Sequence, residues 1–271
     1  MDIRTILLNL DVDFTSPVLL PSAVALARRL DAKLVGFAAA GPAATLVPLG
    51  ATAAITGYYE VSRQEVEARL RDIEAEFDAA VPAALRGNFV SYIDPPTGGL
   101  INLASGADLV LIGSHTGEPN YARNVDIGEL VLGAGRPVLL VAAGASEIKT
   151  GRILVGWKDT KEARRAVVDA LPFLRLAAEV VVATISEGDR VVEQAKIADV
   201  ITWLATHGIE AQGDVYPVGQ PAATLADLAR LLKADLIVTG GYGHSRVREW
   251  FFGGVTQDLL GAPTLNRLMS N

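Results

Sequence analysis

Apolar runs of four to six residues alternate along the chain with longer stretches in which apolar positions recur three and four apart. The short runs are apolar at every position, the pattern of strands covered on both faces, whereas the longer ones are amphipathic helices. In the second half the pattern predicts strands at Ile153–Gly156, Val180–Thr184, Gly213–Pro217, Leu236–Thr239 and Pro263–Leu268. Between them TKEARRAVVDALPFLRLA, VVEQAKIADVITWLATHG and PAATLADLARLLKA read as helices, the second stopped by Gly208. Strictly alternating strands and helices imply an α/β fold around a parallel sheet.

The same plan occurs twice. RTILLNL at Arg4–Leu10 answers GRILVGW at Gly151–Trp157, ADLVLIGSH at Ala107–His115 answers ADLIVTGGY at Ala234–Tyr242, and GRPVLLV from Gly135 answers GAPTLNRLM from Gly261. Three matches in one order define a repeat as long as a domain. The division expected is 1–143, a polar linker GASEIKTG at 144–151, and 152–271. The first copy carries an apolar insertion, Gly41 to Glu60, read as a helix-and-loop excursion over the sheet edge, with a partner-binding or gating loop as the alternative.

Composition narrows the function classes. The 271 residues are 50% hydrophobic and 20% charged, a globular balance, and the absence of cysteine removes disulfides, thiolate metal sites and cysteine nucleophiles. No apolar stretch approaches a membrane span and the N-terminus lacks a signal-peptide pattern, so a cytoplasmic protein without a membrane partner is expected. A net charge of −7 argues against nucleic acid as a partner. Residues 1–150 hold 11 basic and 17 acidic side chains and the remainder 13 and 14, so an anion site belongs in the second half.

That half contains GGYGHSRVREWFFGGVTQDLL, Gly240 to Leu260, directly after a predicted strand and thus at the carboxyl end of the sheet, where open α/β folds place ligands. A dinucleotide fingerprint fails because Arg246 stands where the third glycine would, and no Gly-Lys-Ser/Thr occurs for a P-loop. What remains is Gly240, Gly243, Gly253 and then Gly254 opening a short helix to about Leu260. Glycines admit main-chain N–H groups close to a ligand, and a helix N-terminus adds unpaired donors, so the loop suits an anion.

This G-x2-G-x9-G spacing, in a last β-loop-α-β unit preceded by Ala-Asp-Leu-Ile-Val, resembles the nucleotide-binding signature of the universal stress protein family, and the repeat resembles its tandem form. The resemblance implies two tandem five-stranded parallel open-sheet domains, Rossmann-like and similar to the adenine-nucleotide alpha hydrolases, with a stress-response role and ATP bound in some members. Carried over by position, Gly240 and Gly243 would lie against ribose and phosphates, and Gly253 and the Gly254 N–H would face the phosphate tail, with Mg accompanying the nucleotide. Val155, Gly156 and Trp157, with Ala183 and Thr184, would flank the base. It also implies pairing of the last strands, RPVLLV with PTLNRLM, within one chain, and leaves a homodimer of chains open; Asn266 and Arg267 suit a strand with one face to solvent.

Two departures weaken the expected site. Gly254 stands where binding members carry Ser or Thr, and Lys158 where they commonly carry Asp, with Asp159 one place on. In the first copy Thr116 follows Gly113 in place of glycine, and Glu118 and Asp126 would repel phosphate, so no nucleotide is expected there. Beside the second loop, His244, Arg246 and Arg248 are either a solvated face or a phosphate contact through Arg246. His115 and His207 read as surface or capping residues, Trp250, Phe251 and Phe252 as core, and Lys158, Lys161, Arg164 and Arg165 as a solvated helix face. No nucleophile is paired with a base, so no efficient enzyme is expected. The leading reading is a regulatory module binding ATP weakly in its second half. The alternatives are a nucleotide-free dimerisation or interaction protein of the same fold and a nucleotide-activating enzyme.

Overall fold

The computed structural model describes residues 2–14, 17–42, 52–114, 120–145, 147–218, 224–241 and 263–271, with the side chains of 52–59 left aside. The first half contributes β1 (Thr5–Asn9), α1 (Leu19–Leu30), β2 (Lys33–Ala39), α2 (Thr52–Ala80), β3 (Arg86–Tyr92), α3 (Pro96–Leu103), β4 (Leu109–Gly113), α4 (Ile127–Gly133) and β5 (Val138–Val141). The second contributes β6 (Arg152–Gly156), α5 (Lys161–Leu174), β7 (Glu179–Ile185), α6 (Arg190–Thr206), β8 (Gln212–Tyr216), α7 (Leu225–Leu232), β9 (Leu236–Gly240) and β10 (Asn266–Ser270). The helical part of the expected insertion is the start of α2, which packs on β2 and the edge strand β3.

All ten strands form one sheet in the order β3-β2-β1-β4-β5-β10-β9-β6-β7-β8. Within each half the pairing is parallel; the halves meet where β5 and β10 run antiparallel, with Leu139 opposite Leu268 and Val138 opposite Met269. The expected pairing of the last strands is therefore present. The expected strand at Pro263 begins only at Asn266: proline has no N–H for a ladder, and its carbonyl instead accepts from Ala143 N at 2.7 Å.

Alternate strand residues enter opposite layers. Ile6, Leu8, Leu111, Leu139, Leu268, Val238, Val155 and Val182 join one apolar layer that runs unbroken across the seam beneath α1, α5 and α6. On the other face Leu7, Val110, Leu140 and Met269 pack in a cluster with residues of α3 and α4, and Leu154, Val181 and Ile237 in one with residues of α7. Within the stretch read as a linker, Ile148 and Thr150 are buried, and Arg29 donates to the Ile148 carbonyl at 3.2 Å and to Thr150 Oγ1 at 3.3 Å, so this connection is docked on α1.

The repeated Ala-Asp-Leu has a structural cause. Asp108 Oδ2 accepts from Arg4 N and Thr5 N at 2.8 and 3.0 Å, and Asp235 Oδ2 accepts from Arg152 N at 2.9 Å. Each carboxylate ties the start of one central strand to its neighbour, at the end of the sheet opposite the glycine loop.

Candidate functional site at the carboxyl ends of β6 and β9

In each half the chain turns back across the sheet between its first and fourth strands, so in the second half the switch point lies between β6 and β9. Gly156 ends β6 beside Thr239, and Gly240 ends β9. The switch point thus brings together Gly156, Trp157 and Gly240. Gly243, Arg246, Gly253 and Gly254 lie outside the described residues, as do His115, Thr116, Glu118, His244, Arg248 and the aromatic run 250–252.

The glycines at this edge are needed for packing. A Cβ on Gly240 would come within 2.6 Å of Ala163 N and of the Glu162 carbonyl carbon, so α5 starts directly against it. One on Gly156 would meet Leu225 Cδ2 at 2.4 Å, and one on Gly241 would meet Val131 Cγ1 of α4, across the seam, at 2.8 Å. Gly241 N donates to the Ser270 carbonyl and Asn271 Nδ2 donates to the Gly241 carbonyl, at 2.8 and 2.9 Å, so β10 fixes the entry to the loop.

The residues expected around the base are mostly turned inward. Val155 is 1% exposed and belongs to the apolar layer under α5. Thr184 Oγ1 donates to the Trp157 carbonyl at 2.8 Å, and Trp157 N donates to the Ala183 carbonyl at 2.8 Å, so these groups bind one another and lock the ends of β6 and β7 together. Trp157 itself is buried, with its indole Nε1 lacking an acceptor among the described residues. Thr160 caps α5 by accepting from Ala163 N at 3.3 Å.

One residue escaped the sequence reading. Glu162, in the first turn of α5, is 4% exposed, Lys161 Nζ lies 3.5 Å from its Oε1, and Oε2 has no hydrogen-bond partner among the described residues. Its place as the second residue of α5 reads in sequence as an exposed first-turn acid; in the fold Gly240 docks on that turn and Glu162 is buried. Lys158, Lys161, Arg164 and Arg165 are exposed, as expected of a solvated face, Arg164 pairing with Asp159 and Arg165 with Asp169. Asp159 is therefore held by Arg164. His207 forms the C-cap of α6 with its ring 4.3 Å from that of Trp203.

In the first half the corresponding edge is closed by its own polar groups. Arg123 binds Asp13 through two nitrogens at 2.6 and 2.7 Å and donates to the Gly41 carbonyl at 3.0 Å. Its guanidinium is held above its ordinary range by the hydrogen bond to Asp13, against the effect of burial. Asp126, expected to repel phosphate, caps α4 by accepting from Glu129 N at 2.9 Å. A carboxylate of the chain thus occupies the helix terminus that an anion would need.

The expectation that Asn266 and Arg267 face solvent fails. They are 8% and 0% exposed, because β10 lies mid-sheet with helices over both faces. Asn266 bridges the seam, Oδ1 accepting from Ala142 N at 2.9 Å and Nδ2 donating to the Asp235 carbonyl at 3.0 Å. Arg267 donates to Ser114 Oγ at the end of β4, and burial pushes its guanidinium down to about 10.

Among the described residues no helix is long and apolar enough to cross a membrane, and no three His, Asp or Glu gather as metal ligands. Residues 187–264 match the model of the universal stress protein family. No curated protein matches the chain. Among solved structures, a universal stress protein from Archaeoglobus fulgidus DSM 4304 superposes with a TM-score of 0.69 at 16% identity, covering 100% of this chain and 99% of its own. A Pseudomonas aeruginosa UCBPP-PA14 protein assigned to the same family gives a TM-score of 0.58 at 17% identity, with 99% and 93% covered. At these identities the likeness to the solved structures is one of fold, and it extends over both halves. The match to the universal stress protein family model at residues 187–264 thus lies within a fold that solved universal stress proteins share over both halves of the chain, in a two-domain arrangement.

Proposed function

We propose that the protein is a stress-response regulatory module whose second half binds ATP weakly and whose first half serves as its structural partner. The observation behind this reading is the position of Gly240: it ends β9 beside β6, at the switch point, and is the first glycine of the G-x2-G-x9-G spacing in the sequence. Gly243, Gly253 and Gly254 N–H would hold the phosphates, and Mg would enter with the nucleotide, since no acidic cluster of the described residues waits for it. Without a hydroxyl at Gly254 the site lacks one hydrogen bond to a charged group, worth roughly 1.5–3 kcal/mol or about ten- to a hundredfold in affinity. In this reading the chain is a binding module rather than an efficient enzyme: ATP hydrolysis needs a positioned water and a held metal, and the described residues gather no set of metal ligands.

A nucleotide-free interaction protein is the second reading. It is favoured by the buried Glu162, whose main chain and Cβ stand against Gly240, and by the commitment of the Thr184 hydroxyl to the Trp157 carbonyl. Calorimetric titration with MgATP decides between them. The first reading expects at most one site per chain, abolished by Gly243→Val and tightened by Gly254→Ser; absence of heat in both the wild type and Gly254→Ser leaves the second.

A further inference from the structure

Between α5 and α6, on the helix-covered side of β6, lies a cleft of about 340 Å³, within the size range of small-molecule pockets. Its walls are apolar: Trp157 at the base, Val167 and Val168 from α5, Val200 and Trp203 from α6. Two of the chain's three tryptophans therefore border one cleft. Val168 and Trp203 remain 38% and 36% exposed, so the walls are open to an entering ring. The equivalent position in the first half, between α1 and α2, is bordered by Pro17, Leu20 and Ala79 with no aromatic among the described residues, so the double-indole cleft is not simply a product of the repeat.

The rim carries Asp159, Arg164, Lys196 and Asp199. Arg164 is paired with Asp159, and Lys196 with Glu193 at 2.8 Å. Asp199, exposed on α6, forms no ion pair with the described residues, so one negative charge stays unmatched at the mouth. Aromatic walls attract flat rings, and indole faces attract cations within about 6 Å. We propose that this cleft is a second binding site, separate from the glycine loop, for a small aromatic cation whose ring lies between Trp157 and Trp203 and whose charged group faces Asp199.

The test uses the full-length protein and two probes of similar size and opposite charge, 2-phenylethylammonium and 3-phenylpropionate, followed by calorimetry and tryptophan fluorescence. The cation is expected to bind once per chain and at least fivefold more tightly than the anion. Asp199→Asn should weaken it about two- to fivefold, as for an exposed charge pair, and Trp203→Ala about tenfold, neither changing the anion's affinity in the same proportion. Asp199→Asn decides the matter if Trp203→Ala does not fold, since Asp199 lies on the exposed face of α6. Equal affinity for the two probes, no binding of the cation, or indifference to Asp199→Asn would overturn the proposal. Displacement of 2-phenylethylammonium by MgATP would overturn it too, by making the cleft part of the nucleotide site.

Discussion

At the scale of single residues, two positions show how context turns an ordinary side chain into a structural necessity. Gly240 has no room for a methyl group, because the facing atoms are main chain of α5 and cannot rotate away. Gly240→Ala should lower stability by about 1–3 kcal/mol, as overpacking does, read as a fall in the denaturation midpoint; an unchanged midpoint would show that α5 can slide off β9. Asn266 satisfies one main-chain group on each side of β10. Asn266→Leu leaves Ala142 N and the Asp235 carbonyl buried without that partner, and since each such group costs about 1–3 kcal/mol, a loss of about 2–5 kcal/mol is expected in urea unfolding. Glu162→Gln removes a negative charge from the turn of α5 on which Gly240 packs and should tighten any MgATP binding several-fold in calorimetry.

At the scale of elements, the helix ends offer clean tests. Gly208 closes α6 with φ +75, its N–H donating to the Ala205 carbonyl, and nothing lies within 4 Å of the place a Cβ would take. Gly208→Ala is thus a test of backbone conformation alone and should cost about 1 kcal/mol. At the ends of α1 and α7 the same left-handed position is held by Asp31, φ 53, and Lys233, φ 54. Lys233→Gly should therefore stabilise by a few tenths to about 1 kcal/mol, visible as a higher thermal midpoint.

At the scale of the whole molecule, the antiparallel seam joins two parallel sheets into one and lets the layer beneath α1 and α5 continue through Leu139 and Leu268. All three tryptophans belong to the second half, so their fluorescence reports on it alone, whereas far-ultraviolet dichroism reports on both. Because the halves share that layer and Gly241 leans on α4, the two probes should give coincident unfolding curves in urea. Separate transitions would mean that the seam is a contact between independent domains.

The local pattern was enough to place most strands and helices and to reveal the repeat, because burial of a strand on two faces forces a run of apolar residues and burial of a helix on one forces a three-four spacing. It also placed Gly240 at the carboxyl end of β9, while the side-by-side last strands followed from the family resemblance. Where the reading failed, the cause was contact between residues far apart in the chain. Asn266 and Arg267 look like surface residues until β5 covers the open edge of β10; Ile148 and Thr150 look like tether until α1 lies beneath them; Glu162 looks like a solvated first-turn acid until Gly240 docks on it. A polar side chain can be buried wherever the tertiary structure supplies its hydrogen bonds, and periodicity, which records only what water would not tolerate, carries no trace of those partners. Local periodicity was therefore sufficient for the elements and their order, while tertiary packing alone decided which polar groups the seam and the site would enclose.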